Sequence, residues 1–191
     1  GSVSNEIFSH TDMLPTLVAA GGEPDIVEKL KKGHKAGSKT FKVCIDGYNL
    51  LPFLKGEVKE NPRKGFLYWS DDGDLMALRY AQWKATFVEQ RAHGLAVWRE
   101  PLVSMRVPKI YNLRSDPFER GDIDGSVFYE KWMADRAFLL VPAQAMVGEF
   151  LKTFRDFPPR QKPASFSIDQ ALEKARQQEK TMASAASGGV K

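Results

Sequence analysis

Residues 66–88 constrain the fold more than any other stretch. Phe66-Leu67-Tyr68-Trp69-Ser70 reads as a strand, and Asp71-Asp72-Gly73-Asp74 as a turn built on the Asp-Gly pair of tight hairpins. Residues 75–79 form the returning strand. After Tyr80-Ala81-Gln82, Trp83, Ala85 and Phe87 alternate with Lys84, Thr86 and Val88. Such period-two alternation between turn signals predicts an antiparallel meander with one buried face. A fourth strand is expected at Ile110-Tyr111-Asn112-Leu113, closed by Ser115-Asp116-Pro117.

Helices are expected on either side. Asp12 stands as an N-cap before residues 13–20, Pro15 is tolerable in the first turn, and Gly21-Gly22 ends the helix. Leu14, Leu17 and Val18 fall on one face, a stripe that must pack on something. A short helix follows Pro24, then a Gly/Lys/Ser loop over 31–40 and a strand over 41–45 containing Cys44. Asp46-Gly47 reads as a turn, and Leu50, Leu51, Phe53 and Leu54 as one helical turn. Residues 127–154 are mostly helical, with Pro142 expected to interrupt them. Residues 163–168 read as extended, 169–180 as helical and 181–191 as a disordered tail. The expected class is α+β, a four-stranded antiparallel sheet with packed helices.

Composition fits one ordinary globular domain. Of 191 residues, 42% are hydrophobic and 27% charged. No uninterrupted apolar run approaches the roughly 20 residues of a membrane helix. The longest, residues 137–142, is far shorter, so no membrane span is expected. The net charge of +4 is spread along the chain. Its densest basic run, residues 29–35, reads as a helix end favoured by the helix dipole, so nucleic acid is not an expected partner. One cysteine excludes an internal disulfide. The opening Gly-Ser reads as a cleavage scar.

Motif chemistry is sparse. Phosphate-cradling glycine loops and the Gly-x-Ser-x-Gly elbow do not occur. His10, His34 and His93 stand far apart, without the i+3 or i+4 ligand of a helical metal site. Asp71, Asp72 and Asp74 match no calcium loop and are explained by the hairpin. The segment 89–108 is long for a connection and carries Arg91, His93, Trp98, Arg99, Glu100 and Arg106. Arginine with an aromatic side chain is a mixture that grips anionic or aromatic ligands. The alternative is a surface loop whose Trp98 anchors in the core.

Four phrases, in order, resemble the formylglycine-dependent sulfatases. Residues 9–17, Ser-His-Thr-Asp-Met-Leu-Pro-Thr-Leu, are similar to the helix after the family's last active-site strand. Residues 46–56 resemble its Asp-Gly-x-x-Leu-Leu-Pro-x-Leu-x-Gly segment. Ala77-Leu78-Arg79 with Trp83-Lys84 resembles its Ala-Leu-Arg…Trp-Lys hairpin. Residues 111–119 are similar to its Tyr-Asn-Leu…Asp-Pro-x-Glu phrase.

The resemblance implies the C-terminal part of a bacterial arylsulfatase of the alkaline-phosphatase-like superfamily. It implies periplasmic or cytoplasmic location, helices of the large domain's edge plus a linker over 3–40, and a C-terminal subdomain over 41–180. The nucleophile of that family arises within Cys/Ser-x-Pro-x-Arg, whereas Cys44 precedes Ile45-Asp46-Gly47. No catalytic or metal residue is therefore assigned here. Formylglycine and Ca²⁺ are implied for the parent enzyme, on segments preceding Val3. The implied partners are the large α/β domain and a sulfate ester, with self-association of the isolated piece. Because the 89–108 connection exceeds the family's usual length, Arg91, His93, Trp98 and Arg99 are its cleft candidates. The competing class is a free-standing binding module derived from such a domain.

Overall fold

Local hairpins build the sheet. In the computed structural model, β3 (Gly65–Trp69), β4 (Leu75–Tyr80), β5 (Trp83–Glu89) and β6 (Val103–Asn112) form one four-stranded sheet in the order β3-β4-β5-β6. The pairing is antiparallel, with Leu78 opposite Ala85 and Ala85 opposite Ile110. The protein is therefore α+β, with a four-stranded antiparallel sheet and several helices. The described residues are 3–160, 162–165, 172, 173, 175–179 and 182. The expected tail apart from Met182, and residues 166–171, 174 and 180 of the extended and helical stretches, lie outside them.

Contacts divide the chain into two units. One comprises Gly1–Tyr68 and Leu75–Pro159; the other comprises Trp69–Asp74 and Arg160–Lys191. In the second, Ser70 N–H donates to Asp74 O at 2.9 Å, and Gly73 supplies the positive φ of 90° that closes the turn. The Asp72 carboxylate accepts from the backbone N–H and hydroxyl of Ser165 at 2.7 and 2.5 Å, and these bonds hold its pKa below the ordinary value.

In the first unit, Leu78, Ala85 and Ala143 form a buried cluster, against which Leu67, Phe87, Leu140, Met146 and Val147 pack. The small residues let α6 (Leu140–Asp156) lie close to the sheet. Ahead of it run α4 (Gly121–Asp124) and α5 (Ser126–Ala134). The Tyr129 hydroxyl donates to Ile110 O at 3.1 Å, and its ring stacks between Tyr111 and Trp132 at 5.9 and 6.1 Å.

Residues 127–154 are helical with an interruption, as expected, but the break falls before Pro142 and not at it. A 3-10 turn at Ala137–Leu139 separates α5 from α6, and Pro142 sits in the first turn of α6, where it removes no intrahelical bond. Residues 137–156 together are long and apolar enough, by length and composition, to cross a membrane. Gln144, Glu149 and Lys152 keep any uninterrupted apolar run within this stretch short. The side carrying Leu140, Ala143, Met146 and Val147 packs on the sheet, while Phe138 and Val141 are exposed.

The fourth strand is also longer than expected, reaching back to Val103. Pro108 reads as a breaker because it cannot donate to a ladder. The sheet absorbs it through a register shift: Thr86 pairs with Lys109, but Val88 pairs with Ser104. The connection accordingly shrinks to residues 90–102.

The N-terminal third departs most from expectation. A 3-10 turn, His10–Asp12, capped by Ser9, leads into α1 (Met13–Ala20); Asp12 stands at the N-cap position of α1, but its side chain makes no capping bond to that helix. Helix α2 (Ile26–Lys32) follows. The stretch read as a loop holds a small hairpin of β1 (His34–Ala36) and β2 (Lys39–Phe41). The strand expected over 41–45 stops at Phe41, and residues 42–50 have no ladder. They dock on α1, because the Thr16 hydroxyl accepts from Leu50 N–H at 3.0 Å and donates to Tyr48 O at 3.3 Å. Gly47 marks this docking and not a turn: a Cβ there would lie 2.0 Å from Thr11 O. Helix α3 (Leu51–Leu54) ends the segment. The buried side of α1 is Pro15, Thr16 and Ala19, whereas Leu14 and Leu17 of the expected stripe are 53% and 62% exposed.

Candidate functional site

The connection between β5 and β6 is internally braced. Gln90 Nε2 donates to Val97 O and Glu100 O at 3.3 and 3.0 Å, while Gln90 Oε1 accepts from Ala92 N–H at 2.8 Å. One side chain thereby ties both ends of the 3-10 turn Gly94–Trp98, which starts at Gly94 with φ of 57°. The turn displays Leu95 and Trp98, 82% and 80% exposed.

All four cleft candidates lie on this connection, and all are exposed. Arg91 Nε donates to Glu89 Oε1 at 2.7 Å. His93 precedes the turn without a side-chain capping bond, and Arg99 N–H donates to Ala96 O at 3.0 Å. Trp98 is not anchored in the core, which removes the reading of this loop as a core-pinned surface turn. The arrangement offers an aromatic face and guanidinium groups to whatever lies above it.

Three polar clusters join residues distant in sequence, and their pairing escapes a reading of the sequence. The deepest joins Asp12, fully buried, to Arg63, 4% exposed. Arg63 Nε and Nη2 donate to the two Asp12 oxygens at 2.5 and 2.6 Å; Nη1 reaches Gly65 O at 2.9 Å and Nη2 reaches Asp46 O at 2.9 Å. Asp12 also accepts from Ser9 and Tyr48 N–H groups at 3.0 and 2.8 Å. Every polar atom of a buried pair must be met in this way, since an unpaired buried charge is strongly destabilising.

In the second cluster, Lys84 Nζ donates to both Glu119 oxygens at 2.7 Å and lies 4.8 Å from the Tyr68 ring centroid. Glu119 reaches this position with a φ of 57°. The third joins β5, β6 and α4, where Lys109 Nζ donates to Glu89 Oε2 at 2.6 Å and Asp122 Oδ2 at 2.5 Å. The hydrogen bond from Lys109 outweighs burial and holds the Glu89 carboxyl below its ordinary value. Burial pulls Lys109 down, but its two carboxylate partners outweigh it and the net shift is upward. Burial, reinforced by Asp122, pushes the Tyr111 phenol far above its ordinary range.

These clusters join the four phrases in pairs. Residues 9–17 meet residues 46–56 through Asp12–Tyr48 and Thr16–Leu50. The Trp-Lys hairpin meets the Asp-Pro-x-Glu phrase through Lys84–Glu119. The phrases thus hold structure, and none assembles a nucleophile. Burial, with Asp46 adding to it, pushes the half-buried Cys44 thiol up, away from the reactive thiolate. Its neighbours do not form the sequence that yields formylglycine. Among the described residues, no group of three or more His, Cys, Asp or Glu side chains is placed to hold a metal ion. Among the described residues, neither the sequence that yields formylglycine nor a cluster of metal-ligating side chains is found.

No family model matches the chain. Its sequence is nevertheless sulfatase-related over part of its length. It is 28% identical over 136 residues to arylsulfatase A of Homo sapiens, covering 65% of this chain and 24% of that protein. Arylsulfatase A of Bos taurus gives the same identity and coverage. The chain spans about a quarter of the length of these curated relatives.

Proposed function

We propose that this chain is the C-terminal segment of a bacterial arylsulfatase, non-catalytic on its own, which supports a large α/β domain and frames the mouth of its substrate cleft. The observation that carries this reading is the arylsulfatase A likeness over 136 residues, with the four phrases in order. In this reading residues 3–40 belong to the edge of the large domain, and 41–180 to a C-terminal subdomain. The exposed Leu14 and Leu17 agree with it, as side chains awaiting a cover. The formylglycine and Ca²⁺ of the parent would stand on segments preceding Val3, together with the groups that cleave the ester. Arg91, His93, Trp98 and Arg99 would touch the organic part of the sulfate ester, and Leu14 and Leu17 would drive self-association of the isolated chain.

The gene sequence upstream of Val3 tests this directly. A Cys/Ser-x-Pro-x-Arg phrase several hundred residues earlier is the expected finding, and its absence would leave a free-standing module. In the full-length enzyme, Trp98→Ala and Arg99→Ala should change the ratio of kcat/KM between a small and a bulky aryl sulfate by about 1–3 kcal/mol, the size of one contact in a specificity pocket. Unchanged ratios would make the connection purely structural.

A further inference from the structure

A cavity of about 240 Å³ opens beside the aromatic stack, away from the 90–102 connection. The aromatic residues Tyr111, Phe128, Tyr129 and Trp132 line it, together with Asn112 and Asp116. Asp116 carries the only formal charge among the lining side chains. Each of its oxygens accepts one backbone N–H, from Arg120 at 2.9 Å and from Gly121 at 2.8 Å. These bonds fix the carboxylate, and each oxygen keeps a further acceptor site. The Arg120 guanidinium, which also feels the Asp116 charge, is hydrogen-bonded to Asp124 at 2.8 and 3.1 Å.

We infer that this cavity is a binding site for a small organic ammonium ion. Rings present negative faces, and a desolvated cation gains most where several converge with a carboxylate. The protein already uses the cluster in this way: the Arg136 guanidinium lies 4.4 Å from the Trp132 ring centroid. The volume falls just below the range of drug-sized ligands, which limits the occupant to a compact cation. Phe128 is 84% exposed at the rim, where its ring can close over a ligand. The inference does not depend on the sulfatase reading, because it concerns residues of this chain alone.

Ligand-observed NMR on the full chain tests it, with benzyltrimethylammonium and tetramethylammonium as cations, benzyl alcohol as the neutral comparison and benzoate as the anion. The expected result is saturable binding of both cations, with benzyltrimethylammonium favoured over benzyl alcohol by roughly five- to thirtyfold and benzoate excluded. Asp116→Asn should erase that preference, and Phe128→Ala should weaken both cations. Because Asp116 also holds the start of α4, Phe128→Ala decides the matter if Asp116→Asn fails to fold. Equal binding of benzyl alcohol and the cations, absence of saturable binding, or wild-type affinity in Phe128→Ala would each overturn the assignment.

Discussion

The N-terminal third and the sheet are held together by opposite chemistries. Around α1 the buried centre is ionic: Asp12, Arg63, Thr16 and Asn61 are buried, and only a few apolar side chains accompany them. In the sheet the centre is apolar, with Leu78, Ala85, Ala143 and Ile110 inside and charges confined to its margins. Directional bonds fix residues 42–50 on α1 without a strand ladder, so a single lost partner undoes several contacts. Dispersion and burial in the sheet are shared among many atoms and degrade gradually.

The contrast can be broken most forcefully at Arg63. Arg63→Ala strands the Asp12 carboxylate in the interior and should cost about 3–5 kcal/mol in urea unfolding. Replacing both partners, Asp12→Leu with Arg63→Met, should cost less than Arg63→Ala alone, since no unpaired charge remains. A double variant as unstable as the single one would show that backbone bonds, not charge pairing, govern this region.

Leu78→Ala is the corresponding cut in the sheet, with an expected loss of about 2–4 kcal/mol by the same measurement. A larger loss than at Arg63 would reverse the comparison.

Glu89 sharpens it at the sheet margin. Its folded pKa lies below the ordinary 4.5, so its contribution is complete above that value and fades as pH falls through the lowered one. Glu89→Gln should therefore reduce stability near neutrality while leaving it unchanged at pH 2, flattening the acid limb of a stability–pH curve. The smallest effect is expected from Trp98→Ala. A side chain 80% exposed should change stability by less than about 0.5 kcal/mol, which separates its role from support of the core.

Legibility in the sequence followed the same divide. The meander could be read because alternation and Asp-Gly turns are local signals, and β3, β4 and β5 lie within a residue or two of expectation. Beyond them, residues 103–108 of β6 read in sequence as part of the connection, where Pro108 breaks the ladder. Near α1, local reading failed: Asp12 has the chemistry of an N-cap and residues 41–45 alternate like a strand, yet Arg63 claims the Asp12 carboxylate across tens of residues and Val43 N–H donates to Leu30 O instead of a ladder partner. The cleft candidates were legible as a cluster on one connection. The brace provided by Gln90 was not, because a glutamine bonded to backbone carries no sequence pattern. Lys84–Glu119 was visible only as two separate phrases.

The separation of 51 positions between Asp12 and Arg63 also sets an order of events during synthesis. A ribosome releases α1 long before its ionic partner exists, so the first helix must wait, solvated, until residue 63 has emerged. The sheet faces no such delay, because each strand pairs with the one made just before it, at low cost in loop closure. Segments made first are therefore completed late, and a nascent chain stalled before Arg63 would present α1 with nothing to close around its carboxylate.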